Sequence, residues 1–462
     1  MFKTLKNAWG IEDLKKKILF TLLIVVLYRL GASIPVPFVA ADVMAMGDAF
    51  KGSILQYLNI ISGEALGKAT LLALGVSPYI TSSIVVQLLT IAIPALEKWS
   101  KEGEEGKKKI NVLTRIITIV LALITSIGYT MFLENGYGQS FLGVEEPTFF
   151  HYMVIVLCYC AGAALVMWMA EKINESGIGN GISIILFANI VAGIFSTATV
   201  MWTLVFTEGG VKGFDWLGLV VVLAFLVVLL GLILIVIWMS DAERRIPIQY
   251  AKRVVGRKMY GGQNTNLPIK VNMTGVMPII FANSIVTIPA TLAMLLGNIP
   301  SWTWVDSVSE FITKWFNYDS WIYLVVFMVL LVAFAFFYVM ISFNPIEVAN
   351  NIKNNGGAIP GIRSGRPTIE FIKKVLYRVT LVGALIIVFI ACFPMILNNI
   401  CSIEAIQNAL NEAGRDAAYY IQLFSSLAFG GSSLMIVVGV ALETTRELEA
   451  QMTLRNYKGF LD

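Results

Sequence analysis

Long apolar stretches recur along almost the whole 462-residue chain, and they constrain its fold more than any other feature. A helix needs about 20 mostly apolar residues to cross the hydrocarbon layer of a bilayer. Only 14% of the residues are charged, whereas soluble domains carry about 25%. The sequence therefore predicts an all-α, polytopic membrane protein. Its ten predicted transmembrane helices are Ile18–Ile34, Gly75–Pro94, Val112–Leu133, Met153–Ala170, Ile182–Trp202, Trp216–Met239, Val276–Leu296, Trp321–Phe343, Val379–Ile396 and Ile421–Leu442.

The basic residues indicate how these spans are oriented. Most of the 34 lysines and arginines lie in every second connecting segment, beginning with the N-terminus. Because positive residues mark cytoplasmic segments, we expect both termini in the cytoplasm. The ten spans can be divided into two sets of five, and an odd number of spans in each half would place the two halves in opposite orientations. This predicts two inverted five-helix halves with a pathway along their interface, although no clear sequence repeat between the halves is visible.

The predicted spans divide the chain into five regions. These are a cytoplasmic amphipathic N-terminus at 1–17, a first half at 18–202, span six with a long loop at 203–275, spans seven to ten at 276–442, and a cytoplasmic tail at 443–462. The N-terminal region has no small-residue cleavage site, so we expect the first span to be retained.

Two cytoplasmic loops, 240–275 and 344–374, are longer than simple connections need to be. In the first, alternation around IPIQYAKR and a Gly261–Gly262 turn predict a projecting hairpin. The second is rich in Asn, Gly and Pro, which predicts a shaped loop between short helices. A shorter basic loop runs from Glu97 to Lys109. Their length and charge favour a cytoplasmic partner, either an anionic surface such as ribosomal RNA or an acidic motor.

The stretch from Ile60 to Pro94 does not resemble an ordinary membrane helix. It begins with a helical turn of small residues, Ser62 to Leu74, and then meets Gly75 and Pro78, which weaken or break a helix. An uncharged segment follows, up to Pro94. Broken helices at membrane depth are tolerated where protein or a water-filled cavity covers the backbone. This pattern predicts a cavity within the membrane that holds the segment.

Few residues could support enzymatic chemistry, so no catalytic residue, metal or cofactor is predicted. The single histidine, His151, is expected to be an interfacial residue, and no zinc-protease or nucleotide-binding motif is present. The glycine-rich run that starts at Gly177 joins two apolar helices and is expected to be a tight turn. The four cysteines lack metal-ligand spacing; Cys392 and Cys401 could form a disulfide, although buried thiols are the more frequent state.

Charged residues are almost absent from the interiors of the predicted spans, which argues against proton-coupled transport. Uncharged polar residues at mid-depth are typical of helix packing, but some could line a helix interface that opens. These residues are Thr81, Ser82, Ser83, Gln87, Asn189, Asn283, Ser284 and Thr287. Three functions therefore stay open: a passive channel, a secondary transporter for a small solute, and a membrane scaffold.

Several long motifs, in order along nearly the whole chain, resemble the SecY/Sec61-alpha family, which supplies the central channel subunit of the Sec translocon. They are GEALGKATLLALGVSPYITSSIVVQLLT, WMAEKINESGIGNGISIILFANIVAG, ERRIPIQYAKR, LPIKVNMTGVMPIIFANSI, FNPIEVANNIKNNGGAIPGIRSGRPT and FGGSSLMIVVGVALET. The resemblance implies two halves around a central hourglass pore, through which unfolded polypeptides pass and from which hydrophobic segments leave sideways into lipid.

The resemblance also implies roles for individual residues. The apolar pore constriction would be formed by Val76, Ile80, Leu186, Ile280 and Ile436. The plug would be 62–74, and Gln87, Asn283 and Ser284 would form the polar seam of the lateral gate. Lys252, Arg253 and Arg363 would dock a ribosome or the SecA motor ATPase. Two positions depart from the family pattern: Ser364 replaces a usual proline, and Ser176 replaces a common arginine.

The resemblance further implies SecE and SecG as small membrane subunits and a bacterial inner membrane as the location. A ring of aliphatic side chains fits the expected activity, because it contacts a moving chain without hydrogen-bonding it and disfavours water when narrow. We therefore expect a protein-conducting channel whose energy comes from a partner.

Overall fold

The computed structural model describes residues 2–40, 58–59, 61–137, 141–143, 148–206, 216–250, 253–255, 258–260, 264–296, 320–401 and 417–458. Lys252 and the Gly261–Gly262 pair lie outside these residues.

Helices make up most of the described chain. In order they are α1 (Phe2–Trp9), α2 (Glu12–Gly31), α3 (Ser77–Ala92), α4 (Pro94–Lys101), α5 (Glu104–Tyr137), α6 (Phe149–Ser176), α7 (Gly181–Phe206), α8 (Trp216–Asp241), α9 (Met277–Leu296), α10 (Trp321–Ser342), α11 (Pro345–Asn354), α12 (Arg366–Cys401) and α13 (Ala417–Lys458). The strands are β1 (Glu243–Tyr250), β2 (Arg253–Val255), β3 (Lys258–Tyr260), β4 (Asn264–Lys270) and β5 (Gly357–Ala358).

Six helices in the described part of the chain are long and apolar enough to cross a membrane, or seven spans if the bent pair α3–α4 counts as one. Each of the ten predicted spans overlaps one of the helices above. The coarser expectation of a mostly helical, multi-pass membrane protein is therefore confirmed. The arrangement of ten spans in two inverted halves is taken up as a proposal below.

Proline residues set several helix boundaries. Pro78 lies in the first turn of α3, where its missing N–H removes no helical hydrogen bond. Ile93 is extended and Pro94 starts α4, so the chain turns by 103° between α3 and α4. The basic segment 97–109, expected to be a loop, is therefore mostly helical: it comprises the end of α4 and the start of α5.

The segment 62–76 is a series of turns. The expectation of helical structure from Ser62 to Leu74 is therefore wrong. Four residues here have left-handed backbone: Gly63 and Glu64, each with φ +68°, Ala69 with φ +46°, and Gly75 with φ +54°. Such conformations interrupt a right-handed helix. Two tyrosines compete with helical bonding as well: the hydroxyl of Tyr129 donates to the Leu66 carbonyl, and that of Tyr159 to the Ala69 carbonyl.

The two long loops meet in one small sheet, so the fold is mostly helical but not all-α. Strand β1 pairs antiparallel with β4, which confirms the hairpin in the first loop. Farther along the same loop, β2 pairs antiparallel with β3, with Val255 opposite Lys258. The other edge of β1 pairs with β5 from the second loop, a contact that the sequence did not reveal.

The alternation in β1 follows the pleat of the sheet. Ile246 and Ile248 are buried, whereas Pro247 and Gln249 between and after them are exposed. The buried side chains pack on an apolar cluster that includes Ile352 of α11 and Ile372 of α12. The sheet is thus fixed to the helices that flank the second loop.

Cys392 is a buried free thiol, so the considered disulfide with Cys401 does not form. Both residues lie in α12. At 1.5 Å of rise per residue their Cα atoms are about 13 Å apart along the helix, beyond the roughly 7 Å limit of a disulfide.

Candidate functional site

The residues expected at the constriction come from four separate parts of the chain and are all buried. Val76 precedes α3 and Ile80 lies in its first turn; Leu186, Ile280 and Ile436 lie in α7, α9 and α13. None of the five is more than 5% exposed. All five belong to one contiguous apolar cluster, which also contains parts of α2, α6, α8, α10 and α12. We call these five residues the apolar waist.

The starts of α3 and α9 are built in the same way. The sequences GVSPYI and GVMPII share Gly, Val, Pro and Ile at matching positions. Gly75 and Gly275 both have positive φ, +54° and +63°. The carbonyls of Val76 and Val276 each accept hydrogen bonds from the amides three and four residues later.

The absence of a clear sequence repeat, expected above, therefore does not hold at these two helix starts. Matching Gly- and Pro-interrupted segments at corresponding positions of two halves mark the central site in proteins built from inverted repeats. Each segment contributes an isoleucine to the apolar waist, Ile80 in one and Ile280 in the other.

Helix α9, which carries Asn283 and Ser284, packs against both α5 and α3, the helix that carries Gln87. Gln87 of α3 is half-buried. Asn283 of α9 is 3% exposed, and its amide nitrogen has no hydrogen-bond partner. The hydroxyl of Ser284 donates within its own helix to the Ile280 carbonyl, 2.8 Å away. In this conformation the Asn283 amide group therefore donates to neither of the other two predicted seam residues.

A buried pair of hydroxyl groups connects α3 to α5, the two helices that α9 packs against. The hydroxyls of Ser82 and Thr118 are 2.5 Å apart, and both residues are at most 1% exposed. Buried polar groups are rarely left without a partner. This bond joins α3 and α5 at mid-depth, so α9 faces a pair of connected helices.

The turn-rich segment 62–76 runs directly into the waist, because Val76 is its last residue. On its other side it packs in a second apolar cluster that contains Leu66, Ala69 and Ala73 of the segment together with Tyr129 and Tyr159. The segment also bonds to the chain after α2, where the Leu71 amide donates to the Ile34 carbonyl. It is therefore a buried element that occupies the space between the apolar waist and the second cluster.

Of the predicted docking residues, Arg363 has an exposed side chain in the connection between β5 and α12. Its carbonyl accepts a hydrogen bond from Thr368, which anchors the connection to the first turn of α12. Arg253 lies in β2 of the hairpin, and Lys252 lies outside the described residues. Because β5 pairs with β1, the two basic loops form one surface.

A further charged surface follows the bend after α3. In α4, Lys101 donates to the Glu97 carboxylate over 2.6 Å, which lowers the pKa of Glu97. The Lys109 ammonium lies 5.8 Å from the centre of the Trp99 ring. Exposed pairs such as these add little stability, and most of the neighbouring lysines stay available to solvent.

The candidate site contains no acid–base or metal-binding arrangement within the described residues. No group of three or more His, Cys, Asp and Glu side chains that could hold a metal ion occurs there. The waist offers only aliphatic contact, which suits passage of a chain better than chemistry on it.

Residues 70–445 match the family model for SecY. The protein translocase subunit SecY of Bacillus licheniformis is 39% identical over 462 residues, and the match covers 100% of both chains.

Solved structures with the same fold cover 95% of the chain. One is a SecY protein whose plug domain stabilises the closed state of the translocation channel; it has a TM-score of 0.58 and 18% identity, and 92% of that chain is covered. Another is Sec61 in the canine ribosome–channel complex, with a TM-score of 0.54, 16% identity and 92% coverage of that chain. The full-length similarity to a curated relative and the match to the family model carry the assignment: the chain belongs to the SecY family.

Proposed function

We propose that this chain is the channel subunit of a protein translocase, which conducts unfolded secretory polypeptides across the membrane and releases hydrophobic segments laterally into lipid. The observation that carries the proposal is the apolar waist: five aliphatic side chains from distant parts of the sequence, all buried in one cluster. Its full-length relatives are protein translocase subunits.

The chemistry of the waist fits a conduit for many sequences. Aliphatic side chains form no hydrogen bonds to a passing chain, so they select no particular residue. A narrow apolar constriction also dewets, because hydrating apolar surface is unfavourable, and this limits ion leakage. At rest, residues 62–74 of the turn-rich segment pack beside the waist and would act as the plug.

The interface of α9 with α3 and α5 is the proposed lateral gate, with Gln87, Asn283 and Ser284 along it. A partly polar seam separates more easily than a fully apolar one, and the unpaired Asn283 amide weakens it further. Sorting at this gate follows partition into lipid: a charged residue at the centre of a membrane helix costs about 2.5–3.5 kcal/mol on insertion scales.

The ten spans are proposed to form two inverted five-helix halves around this pathway, in a bacterial inner membrane with both termini in the cytoplasm. The matched starts of α3 and α9 support this arrangement. So do the lysines and arginines, which concentrate in alternate connecting segments.

The sequence contains no nucleotide-binding motif, and in this proposal a partner drives transport. The joined surface of the two basic loops, with Arg253 and Arg363, is the proposed docking site for a motor ATPase such as SecA or for a ribosome. One structural neighbour comes from a ribosome–channel complex. Small membrane subunits corresponding to SecE and SecG complete the proposed assembly.

Site-specific crosslinking tests this function. A secretory chain stalled during transport should crosslink to a probe at position 80, in the waist, and not to a probe at position 227. Val227 of α8 is 69% exposed on the outer surface of the described fold. Equal crosslinking at both positions would contradict passage through the waist. Gradient-driven uptake of a small solute by the purified protein without any partner would favour the transporter instead.

A further inference from the structure

Asn189 of α7 is completely buried next to the turn-rich segment and is hydrogen-bonded to Ile61, the residue that precedes it. Its amide nitrogen donates to the Ile61 carbonyl over 2.7 Å and to the hydroxyl of Tyr28, in α2, over 2.8 Å. The Tyr28 hydroxyl in turn lies 3.5 Å from the Ser62 carbonyl, to which it donates. Both side chains are 0% exposed. Helices α2 and α7 are thus joined to the start of the segment by buried donors.

Arg29 adds a third donor from α2. Its guanidinium Nη1 donates to the Gly63 carbonyl over 3.2 Å. Three successive carbonyls, of Ile61, Ser62 and Gly63, therefore each accept a hydrogen bond from a side chain outside the segment. Backbone carbonyls that leave regular structure need such partners when they are buried.

Gly63 shows that the segment and these donors fit closely. A Cβ at this position would lie 2.7 Å from Arg29 Nη1 and 2.7 Å from Asn189 Oδ1, and the residue has φ +68°. Only glycine combines this backbone conformation with such close neighbours. The contact is a fitted surface between the segment and the two helices.

The same contact also contains unfavourable features. Asn189 Oδ1 is buried without a hydrogen-bond partner. Glu64 and Ala69 have left-handed backbone without being glycine, a strained conformation for residues with a Cβ. An unsatisfied acceptor and local strain both raise the free energy of the resting state relative to a displaced one.

A cavity beside the contact is large enough to hold water that could take over these hydrogen bonds. A cavity of about 680 Å³ lies beside the contact and is lined in part by Arg29, Gly63, Lys68 and Thr70. If the segment moves, its freed carbonyls and the Arg29 guanidinium can be hydrated there. Breaking the contact therefore exchanges one set of hydrogen bonds for another and does not leave polar groups in lipid.

We propose that Tyr28, Arg29 and Asn189 form a latch that holds residues 61–63 in the resting position, and that the strength of this latch sets how readily the turn-rich segment leaves the waist. This inference rests on the proposed function, in which displacement of the segment opens the channel. The three residues are positioning residues, since they act on the passing chain only through the segment.

The test measures resting ion conductance of the purified translocase complex in planar bilayers. Tyr28→Phe and Asn189→Leu should each raise the resting conductance about fivefold to tenfold. Loss of one hydrogen bond changes the equilibrium between the resting and displaced segment by roughly tenfold or less. The double variant should show less than the product of the two effects, since Tyr28 and Asn189 bond to each other. Thr197→Val is the matched control: this α7 hydroxyl donates only within its own helix, to Gly193.

A second pair of variants distinguishes loss of the hydrogen bond from loss of folding. Arg29→Met removes the donor to Gly63 and should raise conductance, whereas Arg29→Lys keeps a donor and should restore most of the seal. Variants that retain normal melting behaviour but show unchanged resting conductance would overturn the latch. Transport of a secretory chain by the unaltered complex is measured separately, so failure of the channel function itself is distinguished from failure of the latch.

Discussion

Gly162 of α6 lies directly against the backbone of Leu71 in the turn-rich segment. A Cβ at position 162 would be only 1.9 Å from the Leu71 carbonyl oxygen and 2.9 Å from its carbon. No side chain larger than hydrogen fits unless the segment or the helix moves. The segment can approach α6 this closely because position 162 is a glycine.

Gly162→Ala should displace the segment from its resting position. Overpacking of this kind costs typically 1–3 kcal/mol, so we expect a lower melting temperature and a higher resting ion conductance. Gly231→Ala is a matched control, because a Cβ there meets nothing within 4 Å. Thermal unfolding in detergent and bilayer conductance measure the two effects. Identical behaviour of the two alanine variants would show that the segment tolerates the shift.

The waist itself should be sensitive to polarity at two positions that match in the starts of α3 and α9. Ile80→Ser and Ile280→Ser each place a hydroxyl in an apolar constriction, which lowers the cost of wetting it. We expect a measurable rise in resting ion flux for each variant and a larger one for the pair. Ile91→Ser, at an outward position of α3 that is 53% exposed, is the control. Ion flux from loaded liposomes provides the measurement, and flux that stays at the level of the control would argue against the waist as the seal.

The sequence predicted the elements of this fold well where local patterns decide them. The alternation of Ile246 and Ile248 was sufficient to predict the hairpin, and Pro94 was sufficient to predict where α3 ends. The turn-rich segment was missed because its small residues, such as Ala65 and Ala73, are compatible with a helix. Tertiary hydrogen bonds from Tyr129 and Tyr159 override that preference, and no local pattern encodes them.

Local sequence patterns also reveal only some of the residues of the candidate site. In a membrane helix every face is apolar, so periodicity does not show that Leu186 faces a shared cluster whereas Phe195 of the same helix is 77% exposed. The waist residues were found through family resemblance, not through pattern. The latch residue Asn189 carried a usable signal, because a fully buried amide in an apolar helix must find partners.

The pairing of β5 with β1 should depend on the absence of a side chain at Gly357. A Cβ there would lie 2.9 Å from the Tyr250 ring and 3.1 Å from both Ile248 and Ile352. Gly357→Val should therefore detach β5 and increase hydrogen exchange at Tyr250, whose partner in the register is Gly357. Ala358→Val, at an exposed neighbouring position, is the control. Unchanged exchange at Tyr250 in the Gly357 variant would show that the two loops are held together by other contacts.

Arg363 should decide whether a motor can use the joined surface of the two loops. Its side chain is exposed, so Arg363→Glu reverses a charge without disturbing the core, and melting behaviour should not change. We expect export driven by the motor ATPase to fall at least tenfold, because a reversed charge in a docking contact introduces repulsion as well as removing attraction. Lys353→Glu, at an exposed position of α11, reverses a nearby charge outside the connection between β5 and α12 and serves as the control.

Export is measured as protease-protected substrate in membrane vesicles, alongside binding of the motor to the same vesicles. Full export by the Arg363 variant would remove this residue from the docking site, whereas equal loss in both variants would indicate a general effect of charge across the surface of the two loops.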